Sequence, residues 1–150
     1  MVDYCTCPTK TESWFPELDK YVQGSFIFNN GDNLKALCKN LPDLPGIFYV
    51  VSSKNGFEDV LYIGSSGPLP QSGDFGNQTL RRRIHKKHNT IKREDYFNQM
   101  IEKEQLDYLR IYWLVTIDTE NDDLPTYVQG FLMQQYYNVY LQLPEWNKEY

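Results

Sequence analysis

Two runs of strand-forming residues joined by an Asn-Gly pair constrain the fold of this chain more than any other feature. The runs GIFYVVSS (46–53) and DVLYIGSS (59–66) are rich in β-branched and aromatic residues, which favour strands. Between them, Asn55-Gly56 supplies two residues that tolerate positive φ, as a tight hairpin turn requires. The sequence therefore predicts an antiparallel β-hairpin over these residues.

Apolar patterns after the hairpin predict the remaining elements of the domain. Residues 65–78 are rich in Gly, Ser and Pro, so they predict a long loop, which leads into a basic helix. A second helix is predicted for EDYFNQMIEKE (94–104), and a last helix spans roughly residues 125–142. The segment YLRIYWLVTID (108–118) is mostly apolar, so it is predicted as a central strand of the sheet.

The predicted fold class is α/β (α+β), with a three-stranded antiparallel sheet flanked by helices in the order β-β-α-α-β-α. Residues 45–150 form this main domain, and residues 1–44 form an N-terminal helical arm. Asp32 is predicted to cap the helix of the arm, which ends at Leu41-Pro42 because proline cannot continue a helix. A chain of 150 residues has the length of one ordinary domain.

Neither a membrane span nor a secretion signal is indicated by the sequence. No run of about 18 apolar residues is present, and the first residues lack a charged segment followed by an apolar one. A cytoplasmic location is therefore expected. The three cysteines, Cys5, Cys7 and Cys38, make an odd count, which favours free thiols over a disulfide framework.

Positive charge is concentrated in one segment of an otherwise acidic chain. The formal net charge is −5, yet residues 81–93 (RRRIHKKHNTIKR) hold seven of the 15 Lys and Arg and no acidic residue. A local field of this kind attracts a polyanion whatever the total charge of the protein. A solvated helix face is the alternative interpretation of the same charge run.

Two motifs lie on the paired strands and two lie further along the chain. Gly46-Ile47-Phe48 is on the first strand, and Tyr62-Ile63-Gly64 is on the second. LRRRI (80–84) follows the loop, and Pro144-Glu145-Trp146-Asn147 lies near the end. Together they resemble the four landmarks of the GIY-YIG nuclease superfamily of restriction, phage and repair enzymes, with Phe48 where the family has Tyr. The resemblance implies a GIY-YIG-like fold.

This resemblance implies a divalent-metal-dependent DNA endonuclease that hydrolyses phosphodiester bonds. Tyr62 would position or activate the attacking water, and Arg83 would bind the scissile phosphate with its fixed guanidinium fork. Asn147 would orient metal, water or phosphate. His85, or Lys87 one helical turn after Arg83, would assist the leaving group. The remaining basic side chains of the segment would bind flanking phosphates of DNA: Arg81, Arg82, Lys86, His88, Lys92 and Arg93.

The family's metal-binding glutamate is replaced in this chain by glutamine. GFLMQQYYN (130–138) resembles the family's last helix and aligns Gln134 with the glutamate, with Gln129 and Gln135 as alternatives. The family site would hold one Mg²⁺ or Mn²⁺, for which a neutral amide is a poor ligand beside a carboxylate. The chain is then an inactivated variant, a naturally impaired enzyme, or an enzyme that draws its acid from elsewhere.

Two other functions remain open from the sequence. The first is a non-catalytic nucleic-acid-binding protein on the same fold, and the second is a protein-binding module that uses exposed aromatic residues. For both the endonuclease and the non-catalytic nucleic-acid-binding protein, the expected partner is DNA, and double-stranded DNA is expected first. A compact nuclease that cuts a palindrome would act as a homodimer or homotetramer.

Overall fold

The computed structural model describes residues 15–150 of the chain. After a short 3-10 helix (Pro16–Lys20), the elements in chain order are β1 (Val22–Phe28), α1 (Leu34–Cys38), β2 (Gly46–Lys54), β3 (Phe57–Ser65), α2 (Leu80–Arg83), β4 (Lys87–His88), β5 (Ile91–Lys92), α3 (Arg93–Glu104), β6 (Tyr108–Val115) and α4 (Pro125–Tyr140). The mixed α/β class is confirmed, as are the long helices α3 and α4 and the apolar strand β6.

The main sheet has four antiparallel strands in the order β1-β6-β2-β3, so the prediction of three strands is wrong by one. The additional strand, β1, comes from the segment predicted as an N-terminal arm, and it pairs along its length with β6. Gly24 in its middle weakens the sequence signal for a strand. The structure explains this glycine, because a Cβ there would lie 2.6 Å from Cζ2 of Trp113 on β6.

The predicted hairpin is confirmed, and it contains an irregularity that matters for the site. Strands β2 and β3 pair in antiparallel fashion through a turn at Asn55, which has a left-handed φ of 52°. The pairing shifts between Val50, which lies opposite Tyr62, and Val51, which lies opposite Val60. Leu61 is therefore the extra residue of a β-bulge, and Leu61 and Tyr62 both pack on the same face of the sheet.

The two faces of the sheet carry separate hydrophobic clusters. On one face, the helices α1, α2 and α3 pack over a cluster that includes Phe48, Leu80 and Phe97. On the other face, α4 and the 3-10 helix cover a cluster that includes Tyr49, Ile63 and several apolar residues of α4. Each cluster removes apolar side chains from water, which is the main favourable contribution to folding. Tyr62 and α4 consequently lie on opposite faces.

The basic segment is not the single helix that the sequence predicts. Its helical part, α2, ends at Arg83, and a small hairpin of β4 and β5 follows before α3 begins at Arg93. Asn89 makes the hairpin turn possible because it adopts a left-handed φ of 59°. The backbone NH of Arg93 then donates to the carbonyl oxygen of Lys86 (2.7 Å), which closes the segment into a compact loop.

Two further sequence expectations concern the cap of α1 and the cysteines. The sequence predicts Asp32 as the N-cap of α1, but the N-cap is Asn33, whose side chain accepts a hydrogen bond from the backbone NH of Ala36 (3.0 Å). Cys38 is a buried free thiol, and Cys5 and Cys7 lie outside the described residues. Among residues 15–150, every helix is too short or too polar to cross a bilayer.

Candidate functional site

A large groove with a strongly basic lining lies beside α1, α2 and the β4-β5 hairpin. Its volume is about 1090 Å³. Among the described residues that line it, eight are Lys or Arg and none is acidic: Lys35, Lys39, Arg81, Arg82, Arg83, Lys86, Lys87 and Arg93. We call this surface the basic groove. Such a concave cluster of one sign focuses the field toward an anionic ligand.

Two of these cations were not among the residues that the sequence analysis selected. Lys35 is on α1 and Lys39 is the residue that follows its end, four positions further along, so both lie on one side of that segment. Their spacing is a detectable signal, but only the tertiary fold shows that α1 packs beside α2. Ser65, at the end of β3, also lines the groove and was not selected.

The three consecutive arginines have different environments. Arg81 donates from Nε to the carbonyl oxygen of Leu41 (2.8 Å). Arg82 makes a two-pronged ion pair with Asp43, at 3.0 and 3.1 Å, which holds the pKa of the Asp43 carboxyl below its usual range. Within residues 15–150, the Arg83 side chain forms no hydrogen bond or ion pair and is exposed to the groove. Arg83 is therefore the member of the triplet whose guanidinium has no protein partner among the described residues.

Tyr62 lies in an aromatic cluster behind the groove. Its ring centroid is 5.8 Å from that of Phe48 and 4.7 Å from that of His88. The guanidinium carbon of Arg93 lies 5.5 Å from the centre of the Tyr62 ring. The structure thus places Arg93 against the ring of Tyr62.

Arg93 and His88 differ from the expectation of exposed DNA contacts because both are buried. Arg93 is 6% exposed and His88 is 2% exposed. His88 stacks on Tyr96 at 4.0 Å between ring centroids, and burial, reinforced by the charge of Arg93, lowers its pKa to about 4. His88 is therefore neutral at physiological pH, and contact with DNA would require it to leave this stack.

The other predicted basic residues divide between the groove and the outer surface. His85, Lys86 and Lys87 line the groove. His85 is half-buried, and its pKa is lowered first by burial and then by the charge of Lys86. Lys92 is exposed on β5 and is not part of the groove lining.

Asn147 binds the edge of β3 with its amide group. Its Oδ1 accepts a hydrogen bond from the backbone NH of Ile63 (2.9 Å), and its Nδ2 donates to the carbonyl oxygen of the same residue (3.0 Å). The backbone NH of Trp146 donates to the carbonyl oxygen of Leu61 (2.8 Å). The predicted site residue Asn147 thus supports the Tyr62-Ile63-Gly64 strand directly, because its polar atoms are engaged there.

The glutamines at the three candidate metal positions do not form a site that fits Mg²⁺ or Mn²⁺. Gln134 is exposed and donates to Oδ1 of Asn138 (2.9 Å), while Gln129 donates to the carbonyl oxygen of Ile63 (3.1 Å). Gln135 lies on the same helix, which packs on the sheet face opposite Tyr62. Within the described part of the chain, no three His, Cys, Asp or Glu side chains gather to hold a metal ion. Hard divalent cations prefer carboxylate oxygens over neutral amides.

The glycines of the two triads are explained by close packing. A Cβ on Gly46 would lie 2.0 Å from the carbonyl oxygen of Leu114 on the neighbouring strand. A Cβ on Gly64 would lie 2.7 Å from the Tyr62 ring and 2.8 Å from the Phe48 ring. All three distances are shorter than real Cβ contacts, and Phe48 and Tyr62 can therefore pack in this arrangement only with glycine at position 64.

Comparisons of the chain with protein-family models, with curated proteins and with solved structures find no match. The chemistry of the site must therefore be argued from its residues. Among the described residues, the lining of the groove offers many cations and several hydrogen-bond donors but no carboxylate. Such a lining suits binding of phosphate groups.

Proposed function

We propose that this chain binds nucleic acid, with double-stranded DNA as the first candidate, through the basic groove. The observation that carries the proposal is the lining of the groove, which combines eight Lys and Arg with no acid among the described residues. The chain as a whole has a formal net charge of −5, so nonspecific attraction by total charge does not account for this cluster. A phosphate backbone is the common ligand that presents many closely spaced anions.

The distribution of free and engaged cations supports contact with a backbone rather than with a single small anion. Lys86 and Lys87 are exposed and next to each other on the hairpin, and Arg83 is exposed on the neighbouring turn. Lys35 and Lys39 extend the charge from a separate helix. Cations spread along a groove can each neutralise a different phosphate, and this releases counterions from the nucleic acid.

A matched pair of double variants tests this proposal. Lys86→Glu/Lys87→Glu reverses two charges in the groove, whereas Lys54→Glu/Lys103→Glu makes the same charge change at exposed lysines outside it. We expect the groove variant to lose at least about tenfold in affinity for duplex DNA, because each phosphate contact contributes electrostatically. The control should lose far less in the same fluorescence-anisotropy titration. Equal losses would mean that total charge, and not the groove, governs binding.

DNA endonuclease activity is a second candidate, favoured by one arrangement. Arg83 presents an unengaged guanidinium to the groove, and Tyr62 contacts the buried Arg93 directly behind it. These are the residue types that the GIY-YIG resemblance assigns to phosphate binding and water positioning. The residues at the expected metal position do not fit a divalent ion, so this candidate depends on restoring an acid.

Nicking of supercoiled plasmid with Mg²⁺ or Mn²⁺ separates the two candidates. The variants are Gln134→Glu, Gln129→Glu and Gln135→Glu, each compared with the unchanged chain. An impaired nuclease predicts divalent-dependent nicking in one of these variants and its loss when Arg83→Ala is added, since the scissile phosphate would then lack its cation. If all three variants bind DNA and none nicks it, the endonuclease candidate is rejected and the binding function stands.

A further inference from the structure

Arg93 holds a buried positive charge at the floor of the basic groove. It is 6% exposed, yet it belongs to the lining of the groove. Its guanidinium carbon lies 4.9 Å from the ring centre of Phe48 and 5.5 Å from that of Tyr62. Burying a charge in this way is costly unless it is paired and fully hydrogen-bonded, and burial lowers the pKa of Arg93.

The charge of Arg93 has no acidic partner. Its Nη1 donates to the carbonyl oxygens of Ile84 (2.8 Å) and Arg83 (3.5 Å). Its Nε has no partner in the described structure. Across residues 15–150 no carboxylate pairs with it, and Arg83, which also lines the groove, has a charge of the same sign.

Two arginines of like charge that face one groove repel each other unless an anion lies between them. Arg83 is unengaged and exposed to the groove, and Arg93 lies in the groove lining with a buried Nε that has no partner in the described structure. A guanidinium presents planar donors whose geometry matches the oxygens of a phosphate. We propose that one phosphodiester oxyanion of the nucleic-acid backbone binds at Arg93, with Arg83 as the second cation. This subsite rests on the proposed function and deepens it.

A purely structural role is the competing interpretation of Arg93. Its hydrogen bonds to the α2 carbonyls and its contacts with two rings would stabilise the basic segment without any ligand. The two roles differ in their effect on one atom, because only an anion bound at the guanidinium would change the surroundings of Arg93 Nε. Arg110 provides a matched control, since its Nε is also buried without a partner but it lies outside the groove lining.

The test follows the arginine Nε–H signals of the full chain by NMR while dimethyl phosphate, a phosphodiester monoanion, replaces chloride at constant ionic strength. We expect a saturable shift of the Arg93 signal and no shift of the Arg110 signal. A parallel titration uses inorganic phosphate. If inorganic phosphate shifts the Arg93 signal and dimethyl phosphate does not, the site takes free phosphate and the diester proposal is wrong. If neither anion shifts it, Arg93 is structural.

A second measurement tests whether the subsite contributes to DNA binding. Together with the NMR titration, it distinguishes a wrong subsite from a wrong proposed function. We expect Arg93→Lys, which retains the charge but loses the planar fork, to bind duplex DNA about tenfold more weakly. Arg110→Lys should bind as the unchanged chain does. Salt-dependent DNA binding without any shift at Arg93 would overturn the subsite alone. A shift at Arg93 in a chain that does not bind DNA would retain the anion site and contradict the proposed function.

Discussion

The side chain of His88 belongs to the basic segment but is buried among aromatic rings instead of lying at the surface. It stacks on Tyr96, contacts Tyr62 and lies edge-on to Trp146, so it connects the β4-β5 hairpin to α3 and to the C-terminal segment. Its Nδ1 has no hydrogen-bond partner in the described structure. The folded protein therefore holds this imidazole in its neutral form.

Protonation of His88 predicts a loss of stability in acid. The pKa of this group is about 4 in the folded protein, against about 6.5 when it is solvated. Between these values the unfolded chain takes up a proton and the folded chain does not, so stability is fully present above about pH 6.5 and falls as the pH drops toward 4. The full loss is on the order of 3 kcal/mol.

Chemical denaturation at a series of pH values measures this effect. His88→Phe retains an aromatic ring for the stack but cannot titrate, so its free energy of unfolding should fall less steeply over the same range. Carboxylates that titrate near pH 4 affect both proteins alike. Parallel stability curves for the two proteins would show that His88 is not the group responsible.

At the scale of elements, the sequence predicts structure well where the pattern is local and poorly where tertiary contacts decide it. The hairpin, α3, β6 and α4 follow from turn chemistry and apolar periodicity, and all four are confirmed. Strand β1 could not be predicted, because Gly24 is favourable only once Trp113 of β6 packs over it. The basic segment has helix-forming residues, but it forms a hairpin with a turn at Asn89. Burial of the His88 side chain in this hairpin offsets the stabilisation that a continuous helix would have contributed.

The candidate site follows the same division. The charge run predicts that residues 81–93 concentrate positive charge, and the motif resemblance singles out Arg83 among the three consecutive arginines. The contribution of Lys35, the engagement of Asn147 with Ile63 and the burial of Arg93 could not, because each depends on how separate elements pack.

The C-terminal segment completes the exposed edge of β3, which predicts a structural effect for Asn147. Asn147→Ala removes both hydrogen bonds to Ile63 and leaves its backbone NH unpaired at the sheet edge, while the carbonyl oxygen keeps its bond from Gln129. We expect a loss of about 2 kcal/mol in the free energy of unfolding, together with faster hydrogen exchange at the Ile63 amide. Asn138→Ala is the control, because that amide only bonds Gln134 at the surface of α4. Similar losses in both variants would contradict this role of Asn147.

The whole molecule is electrically asymmetric. The sequence contains 15 Lys and Arg against 20 Asp and Glu, and eight of those cations meet in one groove. The remainder of the chain is therefore strongly acidic. An asymmetric charge distribution orients a protein as it approaches a polyanion, so the proposed binding mode turns the groove toward the nucleic acid. Such steering weakens as salt screens the field.

The most direct test of nucleic-acid binding by the basic groove is the salt dependence of affinity for duplex DNA. Each phosphate neutralised should lower log K by about 0.9 per unit of log salt concentration. We expect the affinity to fall at least about tenfold between about 50 and 200 mM salt, which corresponds to about two or more phosphates. The slope should become shallower in Lys86→Glu/Lys87→Glu and stay the same in Lys54→Glu/Lys103→Glu. An affinity that does not change with salt would contradict the account.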